Sequence, residues 1–199
     1  MTKGGYSLWS KFLTKFGYIK VFKYPFWLVY DPDDFEVIGE KVLEVMDILK
    51  PGDVVLRGYN HYLDGKFVPD ELKFSHGAVY IGNGKLIHAV AKGVSEIDVI
   101  EFTRCDRVAV LRPKRGQKAA IAKAKELLKK NTPYDFGFNR GVSSVYCFEL
   151  CGEAYSMLDI PRKTVKMLFG LIRRKDVFLA KSFFDSPDFD CIFHFNPRF

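Results

Sequence analysis

Three residues of this chain have side chains that could form a nucleophilic catalytic site. His76 and His88 lie twelve residues apart, and Cys147 follows further along the chain. A thiol becomes a nucleophile when a neighbouring imidazole accepts its proton, so this combination predicts covalent attack on a carbonyl group. The second histidine could hydrogen-bond the first and fix its tautomer, and Glu96 and Glu101 are further candidates for that orienting role.

The stretch over residues 75–89 predicts a β-hairpin that would bring the two histidines together. Gly82-Asn83-Gly84 can form its turn because glycine and asparagine tolerate the positive φ angles that short hairpin loops need. His76 would enter the first strand and His88 would close the second.

Cys147 is predicted to lie in the first turn of a helix over about residues 146–158, with Ser143 or Ser144 as its N-cap. Unpaired N–H groups and the positive end of the helix dipole at that position favour the thiolate over the thiol. Cys147 and Cys151 share an apolar helical face, so buried packing is the alternative interpretation. Cys151, one turn further on, is predicted to pack in the core.

Hydrophobic periodicity and turn residues divide the rest of the chain into short helices and strands. Further helices are predicted over residues 35–48, 117–130 and 164–182, and further strands over residues 54–56, 94–100, 107–111 and 191–195. The chain is therefore a mixture of helices and strands, within which the histidine hairpin and the cysteine helix are separate elements.

Composition and charge exclude several classes of protein. The chain has 199 residues, a hydrophobic fraction of 48% and a net charge of +7, which predicts one packed domain. The charge suits an anionic partner, and the alternative is a basic soluble protein that binds no such partner. It has no run of five basic residues and no nucleic-acid-reading motif, so a nucleic-acid partner is not expected. Without a signal peptide or an apolar stretch of about 20 residues, a cytoplasmic protein with free thiols is expected.

Residues 1–34 form a predicted N-terminal extension, and residues 35–199 form the predicted domain. Lysines alternate with aromatic residues in the extension, and Trp9, Phe12 and Phe16 fall at helical spacing. This pattern is typical of an amphipathic helix that lies on a membrane surface, which would make the protein peripheral to a membrane. The alternative is an arm that packs its aromatic residues onto the domain.

Four short motifs occur in an order that resembles a known superfamily. They are residues 50–55 (KPGDVV), 75–84 (SHGAVYIGNG), 134–136 (YDF) and 146–150 (YCFEL). The chain resembles the circularly permuted branch of the NlpC/P60 papain-like superfamily, which contains YiiX/YebB-like proteins and, more distantly, lecithin:retinol acyltransferase-like enzymes. In this branch the histidine precedes the cysteine, as it does here. The resemblance spans about residues 48–195.

The resemblance implies an α+β papain-like fold, in which a small antiparallel β-sheet or barrel packs against helices. It implies Cys147 as the nucleophile, His76 as its base and His88 as the third polar residue, with no cofactor. The implied reaction is hydrolysis or acyl transfer at an amide or ester bond, through a thioester acyl-enzyme. Substrates of that class include peptidoglycan peptides, lipids and acylated molecules.

Other interpretations of the same residues stay open at this point. Tyr59, Tyr62 and Tyr146 could line the substrate site. His76, His88 and a cysteine are suitable zinc ligands, but the paired spacings of common zinc motifs are missing, so no metal is expected. The chain could also be a non-catalytic module that binds a membrane or a protein partner, because a fold can persist without activity.

Overall fold

A six-stranded antiparallel sheet carries both histidines. The computed structural model describes residues 20–21, 28–29, 35–60, 72–139, 143–166 and 174–196. The strands are β1 (Lys20–Val21), β2 (Leu28–Val29), β3 (Val54–Gly58), β4 (His76–Gly82), β5 (Lys85–Val90), β6 (Gly93–Asp98), β7 (Arg107–Pro113), β8 (Lys163–Lys166), β9 (Arg174–Val177) and β10 (Phe189–Phe195). The six-stranded sheet has the spatial order β10-β7-β3-β4-β5-β6, and the remaining four strands form two separate pairs.

Five helices accompany the sheet in the described part of the chain. They are α1 (Gly39–Ile48), α2 (Val99–Phe102), α3 (Gln117–Lys129), α4 (Cys147–Ala154) and α5 (Ala180–Phe184). The predicted mixture of an antiparallel sheet and helices is confirmed. None of the helices in these described segments is long and apolar enough to cross a membrane.

The predicted histidine hairpin is confirmed as β4 and β5. Gly82 pairs with Lys85 across a two-residue loop of Asn83 and Gly84. All three turn residues have positive φ angles, +95° at Gly82, +52° at Asn83 and +71° at Gly84, which is the geometry that this sequence tolerates. The turn therefore sets the register of the two strands that carry the histidines.

Both faces of the sheet are buried, each by a different set of helices. Val54 and Leu56 of β3 belong to an apolar cluster with α3 and α4, whereas Val55, between them, belongs to a second cluster with α1 and α2. This separation follows from the strand period of two, which points successive side chains to opposite faces. A side chain on β4 therefore lies on either the α4 side or the α2 side.

The helix predicted over residues 164–182 is wrong. In the part of that range that the structure describes, residues 164–166 and 174–182, β8 and β9 pair antiparallel, and only α5, from Ala180, is helical. Val165 and Val177 are buried in the core, and Thr164 Oγ1 bonds Asp176 Oδ1 across the pair at 2.6 Å. β-branched residues that pack between strands override the apolar and basic pattern on which the helix was predicted.

The division between an extension and a domain stays a prediction. Most of residues 1–34, including the predicted amphipathic helix, lie outside the described residues. Within that segment the structure gives the antiparallel pair of β1 and β2.

Candidate active site

His76 and His88 form a hydrogen-bonded pair. Nε2 of His76 lies 3.0 Å from Nδ1 of His88, and the ring planes meet at 77°. The pair is diagonal across the hairpin, since His88 is directly opposite Ala78, two residues after His76. Long side chains can reach such diagonal neighbours. The prediction that the hairpin brings the two histidines together is confirmed.

Cys147 is the first residue of α4, and its thiol lies against the backbone on both sides of His76. Sγ of Cys147 is 3.8 Å from the carbonyl oxygen of Ser75, and the N–H of Gly77 also interacts with the sulfur. The helix can approach this closely because residue 77 is a glycine. A Cβ there would come within 3.1 Å of the Phe148 ring. The N-cap is Tyr146, so the predicted serine caps are wrong.

The thiol and the imidazole pair lie on different faces of β4. Cys147 belongs to the cluster on the α4 side of the sheet, whereas the His76 ring lies 5.7 Å from the ring of Phe102, on the α2 side. Among the described contacts of Cys147 there is no hydrogen bond to His76. The structure thus brings the thiol to the backbone that flanks His76 and brings His88 to the His76 ring.

Burial sets the protonation state of all three groups. It raises the pKa of Cys147 to about 11, although backbone N–H groups at Gly77 and Phe148 act in the opposite direction. Burial, with the positive charge of Arg57 next in importance, lowers the pKa of His76 well below its usual value and that of His88 to about 4. At neutral pH the site therefore contains a thiol and two neutral imidazoles. The thiolate expected from the helix N-terminus is disfavoured because burial outweighs the helix contribution.

Arg57 is a residue of this site that the sequence analysis missed. It is the cross-strand partner of His76, and its guanidinium lies 4.7 Å from the ring centroid of Phe102 and 5.4 Å from that of Tyr59. The strand predicted over residues 54–56 stops one residue before Arg57. A charged residue directly after the apolar run Val54–Leu56 was the available signal, because β3 continues to Gly58.

Glu149, two residues after Cys147, is the second residue that was missed. Its side chain is fully buried, and no described side chain donates a hydrogen bond to either carboxylate oxygen. Burial raises the pKa of Glu149 to about 7, the nearby Asp135 carboxylate raises it further, and Arg162 opposes both. The signal in the sequence was an acidic residue among the apolar residues of the first turn of the predicted helix.

Replacing Glu149 by glutamine is expected to make stability less dependent on pH. The folded-state pKa of about 7 lies above the ordinary 4.5, so the folded wild type retains a proton that the unfolded chain releases between these values. Wild-type stability should fall as the pH rises from about 4.5 to 7, by roughly 3 kcal/mol. Urea unfolding should show that the free energy of unfolding of Glu149→Gln exceeds that of the wild type at pH 8 but not at pH 5.

Glu153→Gln provides the matched control for that measurement. Glu153 lies on the same helix but is only partly buried, and it pairs with Arg162 at 3.3 Å. Its substitution should not raise the free energy of unfolding by an amount that increases with pH. An equal gain in both variants would mean that the buried Glu149 carboxyl is not the source of the pH dependence.

The other predicted site residues lie in different environments. The Tyr146 hydroxyl is buried and accepts a hydrogen bond from the N–H of Phe178 at 2.6 Å, whereas Tyr59 lies beside Arg57. Tyr62 lies outside the described residues. Glu96 is exposed on β6 opposite Ile87, and Glu101 pairs with Arg104, so neither bonds the histidine pair.

Within the described segments, no group of three or more His, Cys, Asp or Glu side chains is arranged so that it could hold a metal ion. His76 and His88 direct one nitrogen each towards the other, and this hydrogen bond occupies both of those nitrogens. The zinc site considered from the sequence would need a third ligand beside this pair.

Comparison with known proteins gives two findings. Residues 48–193 match a family model described as a permuted papain-like amidase enzyme, YaeF/YiiX, of the C92 family. The chain is also similar to a solved structure whose title names it the metalloprotein yiiX from Escherichia coli O157:H7. The TM-score is 0.60 and the sequence identity is 18%, and the match covers 74% of this chain and 98% of that chain. At that identity the likeness concerns the fold. No curated protein matches the chain.

Proposed function

Because this chain belongs to the permuted papain-like amidases of the YaeF/YiiX, or C92, family, we propose that it hydrolyses an amide bond through Cys147, His76 and His88. The observation that carries the assignment of residues is the position of the Cys147 thiol. It lies against the peptide groups on both sides of His76, whose far ring nitrogen is bonded to His88. The thiol and the two imidazoles then act as nucleophile, base and orienting group.

The tautomer of His76 decides which nitrogen can serve as the base. If Nε2–H of His76 donates to Nδ1 of His88, Nδ1 of His76 carries a lone pair and can accept the thiol proton. The two histidines must both be neutral for this arrangement, and burial favours that state. Proton transfer also needs Sγ of Cys147 and Nδ1 of His76 within hydrogen-bond reach. The proposal therefore includes a rearrangement on substrate binding that brings together the thiol and the imidazole, which lie on different faces of β4 in the unliganded site.

In the first chemical step the sulfur forms a C–S bond to the substrate carbonyl, and the thiol proton moves to Nδ1 of His76. The carbonyl oxygen becomes an oxyanion, which the backbone N–H of Cys147 at the start of α4 can stabilise. The C–N bond then breaks, and His76 returns its proton to the departing amine. A thioester on Cys147 remains, and water activated by His76 hydrolyses it to release the acid and the thiol.

The substrate is proposed only by class. A peptidoglycan peptide, a lipid amide or ester, and an acylated molecule all present the carbonyl that this chemistry needs. Transfer of the acyl group to a second nucleophile would replace water in the last step. The alternating lysine and aromatic residues of 1–34 support a peripheral membrane contact of the extension, which would suit a lipid substrate.

Mass spectrometry of the intact wild-type protein tests the proposal. After brief incubation with a mixed lipid and peptide extract and acid quenching, an acyl adduct should map to the peptide that contains Cys147. The adduct should disappear on treatment with hydroxylamine, which cleaves thioesters. A folded protein that forms no adduct with any amide or ester fraction would favour the non-catalytic binding module instead.

Substitution of His88 separates an orienting role from simple packing. Alanine at this position removes the acceptor for Nε2–H of His76 and should lower amide hydrolysis by about 10- to 100-fold. Glutamine retains an acceptor oxygen and should keep more activity than alanine. Steady-state rates of both variants, with circular dichroism to verify folding, make the comparison. Equal rates in both variants and wild type would identify His88 as an ordinary buried histidine.

A further inference from the structure

Arg57 lies beside the histidine pair and has no counter-ion among the described residues. None of the described Asp or Glu side chains lies within ion-pair distance of its guanidinium. Asp106 contacts the end of β3 through its backbone N–H, which bonds the carbonyl oxygen of Gly58, but its carboxylate accepts hydrogen bonds from the backbone N–H groups of Glu36 and Asn60. A partly buried cation without a paired anion lowers the stability of the fold, so we expect Arg57 to have a function that offsets this loss.

The guanidinium is held firmly in place. Its Nη1 donates to the carbonyl oxygen of Phe102 at 3.3 Å, and its carbon lies over the rings of Phe102 and Tyr59. Its Nε is buried and has no hydrogen-bond partner. Cation–π contacts of this kind orient an arginine while leaving its charge unneutralised.

The groups that face this charge are those of the candidate site. His76 on β4 is its cross-strand partner, His88 on β5 bonds His76, and both rings contact Phe102 on α2. The charge also acts on the thiols of Cys147 on α4 and of the buried Cys105. A positive charge on either imidazole would lie close to that of Arg57, and no carboxylate of the described residues pairs with either group.

We propose that Arg57 is a positioning residue whose fixed positive charge adds to burial in keeping His76 and His88 neutral, so that a single N–H is shared between them and Nδ1 of His76 stays free. The inference rests on the proposed function in one respect only, the assignment of His76 as the base. If His88 became charged, its Nδ1 would carry a proton and could no longer accept from His76. Arg57 would thus act on the reaction through the histidine pair.

The test is a pH titration of the histidine side chains by NMR in the full-length protein, with ¹⁵N-labelled histidine. In the wild type, His76 and His88 should stay neutral at pH 5.5, with ¹⁵N shifts of a single tautomer. In Arg57→Gln both titration midpoints should move upward by about one pH unit. Arg57→Lys keeps the charge, so its midpoints should stay close to those of the wild type. His88→Ala and His76→Ala identify the signals.

The comparison of the two variants separates charge from packing. Superimposable titrations in wild type and a folded Arg57→Gln would overturn the inference, and so would equal upward shifts in the glutamine and lysine variants. If Arg57→Gln does not fold, the titration of Arg57→Lys is sufficient to test the proposal. Histidines that titrate near pH 6.5 in that folded variant would contradict it. The titration uses no acyl substrate, so its result does not depend on whether the protein is an amidase. A titration that contradicts the role of Arg57 would likewise leave the proposed amide hydrolysis untouched.

Discussion

Replacing Cys147 by alanine is expected to abolish formation of the acyl adduct and to lower amide hydrolysis by about 10³-fold or more. The substitution removes the only sulfur that lies against the backbone of both neighbours of His76 in the described structure. Alanine occupies less volume than cysteine and should be accommodated at the start of α4. Hydrolysis rates, adduct mapping and circular dichroism of the purified variant measure the three expectations.

Cys151→Ala is the matched control for the nucleophile. Cys151 lies one turn later on α4 and is fully buried in the same apolar cluster. Burial raises its pKa well above the usual value, and the nearby Cys147 raises it further. This variant should retain the adduct and most of the activity. Activity that persisted in Cys147→Ala but vanished in Cys151→Ala would contradict the assignment of Cys147.

Replacing Asp53 by alanine is expected to lower the free energy of unfolding by about 3–5 kcal/mol. The Asp53 carboxylate is buried and accepts two hydrogen bonds from Arg112, from Nε at 2.9 Å and Nη2 at 2.7 Å. It also accepts from the N–H of Lys50 at 2.8 Å, in the turn that follows α1. Its loss would leave Arg112 without a counter-ion and would release that turn from β3 and β7.

Asp190→Ala is the control for this measurement. Asp190 pairs with Lys114 at 3.5 Å, but both side chains are more than half exposed. Exposed ion pairs contribute little to stability, so the free energy of unfolding should change by no more than about 0.5 kcal/mol. Urea unfolding of both variants and the wild type at pH 7 gives the comparison. Similar losses in the two variants would mean that the Asp53–Arg112 pair does not hold the sheet to α1.

Local patterns in the sequence were sufficient for the elements that carry the site. Gly82-Asn83-Gly84 predicted the hairpin because the positive φ angles of its turn are a local requirement. The helix over residues 117–130 followed from propensity and periodicity and is observed as Gln117–Lys129. The order of His76 before Cys147, within four short motifs, led to the superfamily that the family match over residues 48–193 supports.

Non-local packing decided what local patterns could not. The segment of β8 and β9 is basic and apolar, and only the pairing of Thr164 with Asp176 and the burial of Val165 distinguish its strands from a helix. Ser143 and Ser144 have the chemistry of N-caps, yet α4 begins at Cys147 after Tyr146. Cap preference is a weak local term, and tertiary contacts outweigh it.

The sequence by itself determined the chemical groups, the turn that pairs two histidines and the position of a cysteine at a helix start. Only the tertiary structure decided the electrostatics of these groups. It buried Cys147 so that the thiol stays protonated, placed Arg57 beside His76, and enclosed the Glu149 carboxyl in the core. Dihedral preferences act between neighbouring residues, whereas desolvation and Coulomb interactions depend on which elements pack together.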